Sequence, residues 1–231
     1  MTTAIITGGT RGLGLALARS LVERGWNVVL DGRSRLDLEA AGATLGPRAA
    51  VVPGDVREAG HREALVDRAR QFGGLELLVN NASDLGPSPL PRLRDLSPEN
   101  LVDLARVNVA APLALIQLAL PLLESGDGAV VNVTSDAAVE AYEGWGGYGS
   151  SKAALEQLTK VLAAEEPSVR FWWFDPGDMR TDMHQAAFPG EDISDRPLPE
   201  AVAVPALLRL LTLRPPSGRI VASDWANRDL A

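Results

Sequence analysis

A tyrosine and a lysine four residues apart give the clearest chemical signal in the sequence. Tyr148 and Lys152 stand in Tyr-Gly-Ser-Ser-Lys, at the start of a helical stretch that runs from Lys152 to Ala164. Residues four apart on an α-helix differ by about 40° in direction and ~6 Å in height, so both side chains share one face. A nearby ammonium favours the ionised phenol, which lowers the Tyr148 pKa from about 10 and makes it a usable acid or base. The alternative is a surface Tyr–Lys pair without function.

Two polar residues that precede Tyr148 in the sequence suit the same acid–base chemistry. Ser135 follows a β-branched run, and its hydroxyl can donate a hydrogen bond to a substrate carbonyl oxygen. Asn108 is an amide in an otherwise apolar helical stretch, and a buried amide needs hydrogen-bond partners. Its alternative role is the repair of a helix kink beside Pro112. With Tyr148, these residues indicate proton transfer at a carbonyl or alcohol oxygen.

A glycine-rich segment near the N-terminus indicates a phosphate-binding turn. It reads Thr-Gly-Gly-Thr-Arg-Gly-Leu-Gly from Thr7 to Gly14, between a β-branched run and an apolar helical run. Glycines let main-chain N–H groups approach a pyrophosphate, which the dipole of the following helix stabilises. The segment lacks the Lys-Ser/Thr ending of a P-loop, which disfavours ATP or GTP. An ordinary glycine-rich turn remains the alternative.

The residues after the second β-branched run bear on the type of dinucleotide. They read Asp31-Gly32-Arg33. An acidic side chain at this place binds a ribose diol, whereas an Arg binds a 2′-phosphate. Arg11 adds a second guanidinium, so the pair favours NADP. Asp31 would repel that phosphate, which keeps NAD open; it can also be a solvated strand-end residue or a partner of Arg33.

Two loops are expected to bind the substrate. Residues 136–147 precede Tyr148, and residues 178–197 form a mobile lid after a Pro-Gly turn. Their apolar side chains and carboxylates favour a small, neutral, moderately apolar ketone or alcohol. Of the two histidines, His184 lies in the lid, and His61 lies in a charged helical stretch where we expect it to be solvated. With so few histidines and no Cys, we expect no metal site.

The candidate residues named above can form one site only if the fold brings them together at one edge of a sheet. Seven short apolar runs alternate with helical stretches, which predicts an α/β fold: one doubly wound parallel sheet of about seven strands, Rossmann-type, with helices on both faces. The predicted strands are Ala4–Thr7, Val28–Asp31, Ala50–Pro53, Leu75–Asn80, Ala129–Thr134, Val169–Phe174 and Arg219–Ala222. Trp172 and Trp173 are expected in the core. Ligands of such sheets bind beyond the carboxyl ends of the strands, where the residues named above fall.

The length, charge and apolar runs of the chain disfavour several classes of function. The chain has 231 residues and a net charge of −8, which disfavours nucleic-acid and anionic-membrane partners. We expect a single domain over residues 1–231. The first residues show no basic, apolar leader, so a cytoplasmic location is expected. The apolar run from Val109 to Leu123 is shorter than the ~20 residues of a membrane helix and is predicted to be a buried helix.

Taken together, the sequence resembles the short-chain dehydrogenase/reductase family over nearly its whole length. The resemblance rests on seven segments in order: the glycine turn at 7–14, Gly-Asp-Val at 54–56, Asn-Asn-Ala-Ser at 80–83, Asn108, Ser135, the Tyr148–Lys152 motif and Pro-Gly-Asp-Met-Arg-Thr at 176–181. It implies a catalytic set of Asn108, Ser135, Tyr148 and Lys152. It implies a cofactor site made of Gly8, Arg11, Gly12, Leu13, Gly14, Arg33, Asp55, Val56, Asn81, Ala82, Met179 and Thr181, together with Tyr148 and Lys152.

The resemblance also implies an activity and an assembly. We expect NADP-dependent hydride transfer between the nicotinamide and a carbonyl or secondary alcohol, in the reductive direction, with Tyr148 exchanging the proton. An NAD-dependent alcohol dehydrogenase and a non-catalytic NADP(H) sensor are the alternatives. A homodimer or homotetramer is expected, with the Val109–Leu123 helix and the helix after Tyr148 at the interface. One departure is Ser83, which replaces the usual Gly of the motif at 80–83 and is expected to weaken cofactor binding slightly.

Overall fold

Seven parallel strands form one sheet in the computed structural model, which describes residues 2–226. The strands are β1 Thr3–Ile6, β2 Asn27–Gly32, β3 Ala49–Pro53, β4 Leu77–Asn80, β5 Ala129–Val133, β6 Arg170–Asp175 and β7 Gly218–Val221. Their order is β3-β2-β1-β4-β5-β6-β7, so the winding direction reverses between β1 and β4. The predicted fold class is confirmed. Residue 1 and residues 227–231 of the predicted domain lie outside the described residues.

Nine helices connect and cover the strands in the described part of the chain. They are α1 Gly12–Glu23, α2 Arg35–Leu45, α3 Ala59–Gln71, α4 Pro98–Ala105, α5 Ala111–Ser125, α6 Gly146–Glu165, α7 Asp182–Ala187, α8 Ala203–Leu213 and α9 Ala222–Ala226. Each predicted strand overlaps an observed one. The largest difference is at β4, where Leu75 and Glu76 precede the strand.

The core has two halves because successive strand residues point to opposite faces of the sheet. Ala4 and Ile6 pack with α1, α2 and α8 on one face. Ile5 packs with α3 and α5 on the other. The strands are therefore apolar at consecutive positions, which is the pattern that indicated a covered parallel sheet. Trp172 is fully buried as expected, whereas Trp173 is half-buried, with the ammonium of Lys160 5.9 Å from its ring centroid.

The helical segment Pro98–Ser125 is long and apolar enough to cross a membrane. The core helices of soluble proteins can have the same length and composition. One side of α5 packs in the core through Leu115, Ile116, Ala119 and Leu123. The predicted buried helix from Val109 to Leu123 differs from the observed one in two respects. The α-helix begins at Ala111 after a π-helical turn, Arg106–Ala110, and its other side is only partly buried.

Candidate active site

A cavity of about 810 Å³ opens at the carboxyl edge of the sheet, beyond β1, β4, β5 and β6. Its size falls within the range of small-molecule and cofactor sites. The predicted site residues line it except for Gly14 and Asn108. Gly14 instead faces the main chain of Gly8, where an added Cβ would clash with the Gly8 carbonyl oxygen. The fold thus brings together residues that are up to about 170 positions apart in sequence.

The glycine turn after β1 forms one wall of the cavity. Gly8 and Gly12 have φ values of 68° and 55°, a region that side chains disfavour. A Cβ on Gly8 would lie 3.0 Å from the Cα of Ala82. The side chain of Arg11 does not cap α1, so the first N–H groups of that helix remain for an anion. This open, uncapped turn fits the pyrophosphate of a nicotinamide dinucleotide.

Buried hydrogen bonds of Asp31 and His61 hold the glycine turn in place. They correct the expectation for His61 and two of the alternatives for Asp31. Asp31 is buried, and its carboxylate accepts a hydrogen bond of 2.6 Å from the Gly8 N–H. Its other oxygen lies 3.0 Å from Nε2 of His61. Asp31 is therefore neither solvated nor paired with Arg33, and His61 is buried rather than solvated. With one partner on each oxygen, the carboxylate has fewer acceptor sites left for a ribose diol.

Thr7 and Asn81 join the glycine turn to the loop after β4. The Thr7 hydroxyl oxygen accepts hydrogen bonds from the N–H groups of Asn81 and Ala82, at 3.0 and 2.9 Å. The Asn81 side chain donates to the carbonyl oxygens of Thr7 and Gly8. Asn81 and Ala82 therefore line the cavity at a fixed distance from the turn.

The part of the cavity that contains the predicted cofactor residue Asp55 has an ion pair that the sequence interpretation missed. The guanidinium of Arg57 lies 2.7 Å from Asp55, and the Arg57 N–H also donates to this carboxylate. The Arg57 side chain holds the pKa of Asp55 below its ordinary value, although burial opposes this. Arg33 and Val56 line the same part of the cavity. Arg11, in the glycine turn, lies 3.4 Å from Asp182 at the start of α7, with both side chains exposed.

Tyr148 and Lys152 occupy the first two turns of α6, and both face the cavity. The Lys152 ammonium nitrogen donates to the carbonyl oxygen of Val133 at 2.7 Å and lies 5.5 Å from the Tyr148 ring centroid. Burial lowers the pKa of Lys152 to about 7. Burial also raises the pKa of Tyr148, and the charges of Asp175 and Asp136 act in the same direction. The expected lowering of the Tyr148 pKa by Lys152 is therefore not observed, because both groups are desolvated.

Ser135 follows β5 and lines the cavity near this pair. Its hydroxyl donates to Asp136 Oδ1 at 2.9 Å and accepts from the Ala137 N–H at 3.1 Å. The second carboxylate oxygen of Asp136 accepts from the Tyr142 hydroxyl at 3.0 Å. The Ser135 hydroxyl is thus paired with a carboxylate, from which it can turn toward a substrate oxygen.

Asn108 lies behind the cavity wall in the π-helical turn, with its side chain fully buried. Its carbonyl oxygen accepts from the Ser83 hydroxyl at 3.1 Å and from the Asp84 N–H at 2.8 Å. Its amide nitrogen donates to the Asp84 carbonyl at 2.8 Å and to the Ser151 hydroxyl at 2.9 Å. Every hydrogen-bonding position of this side chain is therefore used, and its partners lie in the loop after β4 and in α6.

Aromatic side chains of the two predicted substrate loops form part of the cavity wall. Trp145 contacts the Tyr148 ring edge-on at 5.8 Å and the Phe188 ring at 5.9 Å. His184 packs on Phe188 at 4.9 Å, and its Nδ1 lies 3.9 Å from Asp178. Within residues 2–226, His184 Nε2 is buried without a hydrogen-bond partner. This wall comes from the two predicted substrate loops and presents both apolar and polar groups to the cavity.

A charged cluster under the site was not predicted. Arg219 of β7 contacts Asp175 at 3.0 Å and Glu156 at 3.2 Å, and it also donates to the Ser135 carbonyl oxygen at 3.2 Å. The signal for it in the sequence is an Arg within the short apolar run of the last strand. The cluster connects β5, β6, β7 and α6 at the level of Ser135.

Comparisons with known proteins agree with this geometry. The sequence model of the short chain dehydrogenase family matches residues 2–192. A sepiapterin reductase of Meriones unguiculatus is 36% identical over 79% of the chain and 76% of its own length. A benzil reductase ((S)-benzoin forming) of Saccharomyces cerevisiae is 34% identical over 90% and 81%. The solved alcohol dehydrogenase of Thermococcus sibiricus, complexed with 5-hydroxy-NADP, is 27% identical with a TM-score of 0.83 and covers both chains completely.

The family match thus covers the glycine turn, the strand-end residues and the helix of Tyr148 and Lys152 in one continuous stretch. The likeness of the folds extends to the remaining strand and helices. The chain therefore belongs to the short-chain dehydrogenase/reductase family and is an NAD(P)-dependent oxidoreductase.

Proposed function

We propose that the protein uses NADPH to reduce the carbonyl group of a small, moderately apolar substrate. The observation that carries this proposal is the placement of the Tyr148 phenol and the Lys152 amine on the wall of a cavity that also contains the open glycine turn. The same cavity therefore contains a proton donor and a turn that can bind a dinucleotide. The reductase names of two relatives support the reductive direction.

The proposed roles follow from the contacts. The chemistry that the nicotinamide supplies when bound is a hydride for the carbonyl carbon. Tyr148 donates the proton to the substrate oxygen, because its raised pKa keeps the phenol protonated at neutral pH. Ser135 donates a hydrogen bond to the same oxygen and stabilises its developing charge, a role in which one donor typically contributes about 3 kcal/mol. Lys152 holds the nicotinamide ribose and, once protonated, favours the phenolate.

In this proposal Asn108 is a positioning residue that holds neighbouring segments of the site in place. Its four side-chain hydrogen bonds fix the loop that carries Ser83 and the first turns of α6. The resemblance to the family also implies that Asn108 holds a water that relays protons from Lys152 to solvent. Because its side chain is fully paired, such a water would need the main-chain carbonyl of the π-helical turn, where the regular hydrogen-bond pattern is interrupted.

The proposed preference for NADP rests on the cations at the adenosine end. Arg33 and Arg57 line the cavity there, whereas the Asp31 carboxylate is occupied by Gly8 and His61. Gly8, Gly12, Leu13 and Asn81 would hold the pyrophosphate and the adjoining ribose, and Asp55 with Val56 the adenine. Met179 and Thr181 line the cavity near the lid and would contact the nicotinamide.

Replacement of Arg33 by Ala is expected to weaken NADPH binding by ~10- to 100-fold and to leave NADH binding nearly unchanged. The reason is that a charge-assisted hydrogen bond contributes about 1.5–3 kcal/mol, and only NADPH carries the 2′-phosphate. Fluorescence titration with both cofactors measures the effect. Arg35→Ala is the matched control, since Arg35 is equally exposed but lies outside the cavity beside Glu39. An equal loss for both cofactors would contradict the assignment.

The proposed substrate class rests on the aromatic wall. Trp145 and Phe188 offer flat apolar surfaces beside Tyr148, and His184 and Asp178 add polar groups at the lid. This combination suits a small ketone with an apolar body and a polar substituent. Residues 136–147 and 178–197 would select it, within a single nucleotide-binding domain.

The function is tested by mixing the protein with NADPH or NADH and a panel of aliphatic, cyclic and aromatic ketones. Loss of nicotinamide absorbance with at least one apolar ketone, faster with NADPH, is the expected result. Absence of turnover across the panel with both cofactors would contradict the proposal. Equal rates with both cofactors would contradict only the preference for NADP.

We also propose a homodimer or homotetramer with α5 and α6 at the interface. The outer side of α5 is lined with partly exposed leucines, and Val161 of α6 is exposed. Apolar side chains that share an exposed surface indicate an interaction site. Gel filtration is expected to give a mass of two or four chains; a monomer would contradict this. We further propose that the protein has no nucleic-acid or anionic-membrane partner, which its net charge of −8 supports. A cytoplasmic location stays a prediction.

A further inference from the structure

Asp136 follows Ser135 on the cavity wall, and a hydrogen bond joins the two side chains. The Ser135 hydroxyl donates to one Asp136 carboxylate oxygen at 2.9 Å, and the Ala137 N–H donates to the same oxygen at 2.8 Å. The other oxygen accepts from the Tyr142 hydroxyl at 3.0 Å. Ser135, Asp136 and Tyr142 all line the cavity. The hydroxyl that is proposed to bind the substrate carbonyl therefore has a carboxylate directly beside it.

The charge of Asp136 is not neutralised by a neighbouring cation. Asp175 lies 3.0 Å from the Arg219 guanidinium, whereas Asp136 forms no ion pair with any side chain of residues 2–226. The Asp136 charge contributes to raising the pKa of Tyr148, so it opposes the phenolate that proton donation leaves behind. A carboxylate that disfavours this step is better suited to binding the substrate than to moving the proton.

Substrate binding changes the partners of Asp136. In the proposed reaction the Ser135 hydroxyl turns to the carbonyl oxygen, and because it has a single hydrogen it can no longer donate to Asp136. The Asp136 oxygen keeps the Ala137 N–H but loses one donor. A charged acceptor that loses a donor inside an occupied cavity costs free energy, unless the substrate supplies a new donor.

The substituent next to the carbonyl group decides whether this donor is replaced. A hydroxyl or amino group on the adjacent carbon lies close to the carbonyl oxygen and can donate to the oxygen that Ser135 leaves. An alkyl group at the same place covers the carboxylate without replacing the hydrogen bond. A carboxylate there, as in a keto acid, is repelled by the Asp136 charge. The three kinds of substituent are therefore expected to bind in this order of decreasing affinity.

We propose that Asp136 is a specificity-determining residue, which selects ketones with a hydrogen-bond-donating group on the carbon next to the carbonyl and rejects keto acids. The proposal rests on the proposed function, in which Ser135 binds the carbonyl oxygen. It names the polar substituent that this end of the cavity accepts. The hydride and the proton of the proposed reaction go to the same atoms as before.

The first test uses three ketones that share a phenyl group and differ only beside the carbonyl. They are α-hydroxyacetophenone, propiophenone, in which a methyl group takes the place of the hydroxyl, and the anion phenylglyoxylate. Their rates of NADPH oxidation give kcat/KM for each ketone. Because the three ketones differ in intrinsic reactivity, the informative quantity is how the ratios between them change when Asp136 is replaced.

Asp136→Ala is expected to lower the ratio of α-hydroxyacetophenone to propiophenone about 10-fold, the lower end of what a hydrogen bond to a charged group contributes. In the same variant phenylglyoxylate is expected to gain relative to propiophenone, and Asp136→Asn, which removes only the charge, is expected to show this gain too. Each ratio is taken within one variant, so a general loss of activity or stability cancels. Glu200→Ala is the matched control, since this exposed carboxylate precedes α8 outside the cavity.

A second readout does not need turnover. Calorimetric titration of the protein with NADP bound is expected to show about 10-fold tighter binding of α-hydroxyacetophenone than of propiophenone, and equal binding in Asp136→Ala. Ratios of kcat/KM that stay the same in Asp136→Ala would overturn the proposal. A wild type that is inactive with every carbonyl would contradict the proposed function; the titration would then still decide the role of Asp136, and equal affinities in the wild type would overturn it.

Discussion

Tyr148→Phe is expected to reduce carbonyl turnover at least ~100-fold and to leave NADPH binding nearly unchanged. General acid catalysis typically contributes a factor of 10² to 10⁴, and the substitution removes only the phenol oxygen. The ring remains packed against Trp145, and the main chain of Tyr148 keeps its hydrogen bond from Ser151. The expected loss is therefore in kcat, without unfolding of α6.

The measurement compares steady-state kcat, NADPH affinity and melting temperature of the variant and the wild type. Tyr142→Phe is the comparison, because it removes the other phenol oxygen, which bonds Asp136 in the same cavity. Its effect on turnover is expected to be much smaller. Near-normal turnover in Tyr148→Phe would refute the role of Tyr148 as the proton donor.

The elements that position Tyr148 could be predicted because their signals are local. Runs such as Leu77-Leu78-Val79 are apolar on consecutive residues, which only a strand covered on both faces requires. The four-residue spacing of Tyr148 and Lys152 places both on one helix face without any knowledge of the tertiary fold. The glycine turn was found by its residue types, since positive φ values at Gly8 and Gly12 are a backbone requirement.

Contacts between distant segments could not be predicted in this way. The Asp31–His61 pair joins β2 to α3 across 30 residues, so neither residue alone indicates the other. A signal was present, because His61 shares a helical spacing of four with Leu65 and Ala69, which are both buried. That apolar stripe contradicts a solvated His61 and was overlooked because the neighbouring residues are charged.

The pKa values could not be predicted because they depend on burial. Spacing alone suggested that the Lys152 ammonium lowers the Tyr148 pKa. In the folded chain both groups are desolvated, and this opposes the charged form of each.

The burial of Lys152 leads to a prediction about stability. Its pKa falls from an ordinary 10.5 to about 7 in the folded protein. Between these two values the unfolded chain binds a proton that the folded protein does not, so stability falls as the pH is lowered through this window. The penalty is absent above about 10.5 and complete below about 7, where it is on the order of 5 kcal/mol.

Lys152→Met is therefore expected to stabilise the ligand-free protein at about pH 6, with a melting temperature higher by roughly 5 °C or more. The variant loses the hydrogen bond to the Val133 carbonyl, which is worth about 1 kcal/mol and offsets only part of the gain. Near pH 10 the gain is expected to disappear, because half a unit below the ordinary pKa of 10.5 the remaining penalty is under about 1 kcal/mol, which the lost hydrogen bond offsets. Scanning calorimetry at both pH values measures the difference.

Lys160→Met is the matched control, since Lys160 lies two turns later on α6 with its side chain exposed. Its replacement is expected to change the melting temperature little, and equally at both pH values. Turnover separates the two possible reasons for keeping a buried lysine. If Lys152 serves catalysis, Lys152→Met loses turnover at least ~100-fold while it gains stability at about pH 6; if the lysine is structural, both quantities fall together. A Lys152→Met variant that loses turnover and gains stability would therefore show that the buried amine is kept for catalysis although it destabilises the fold.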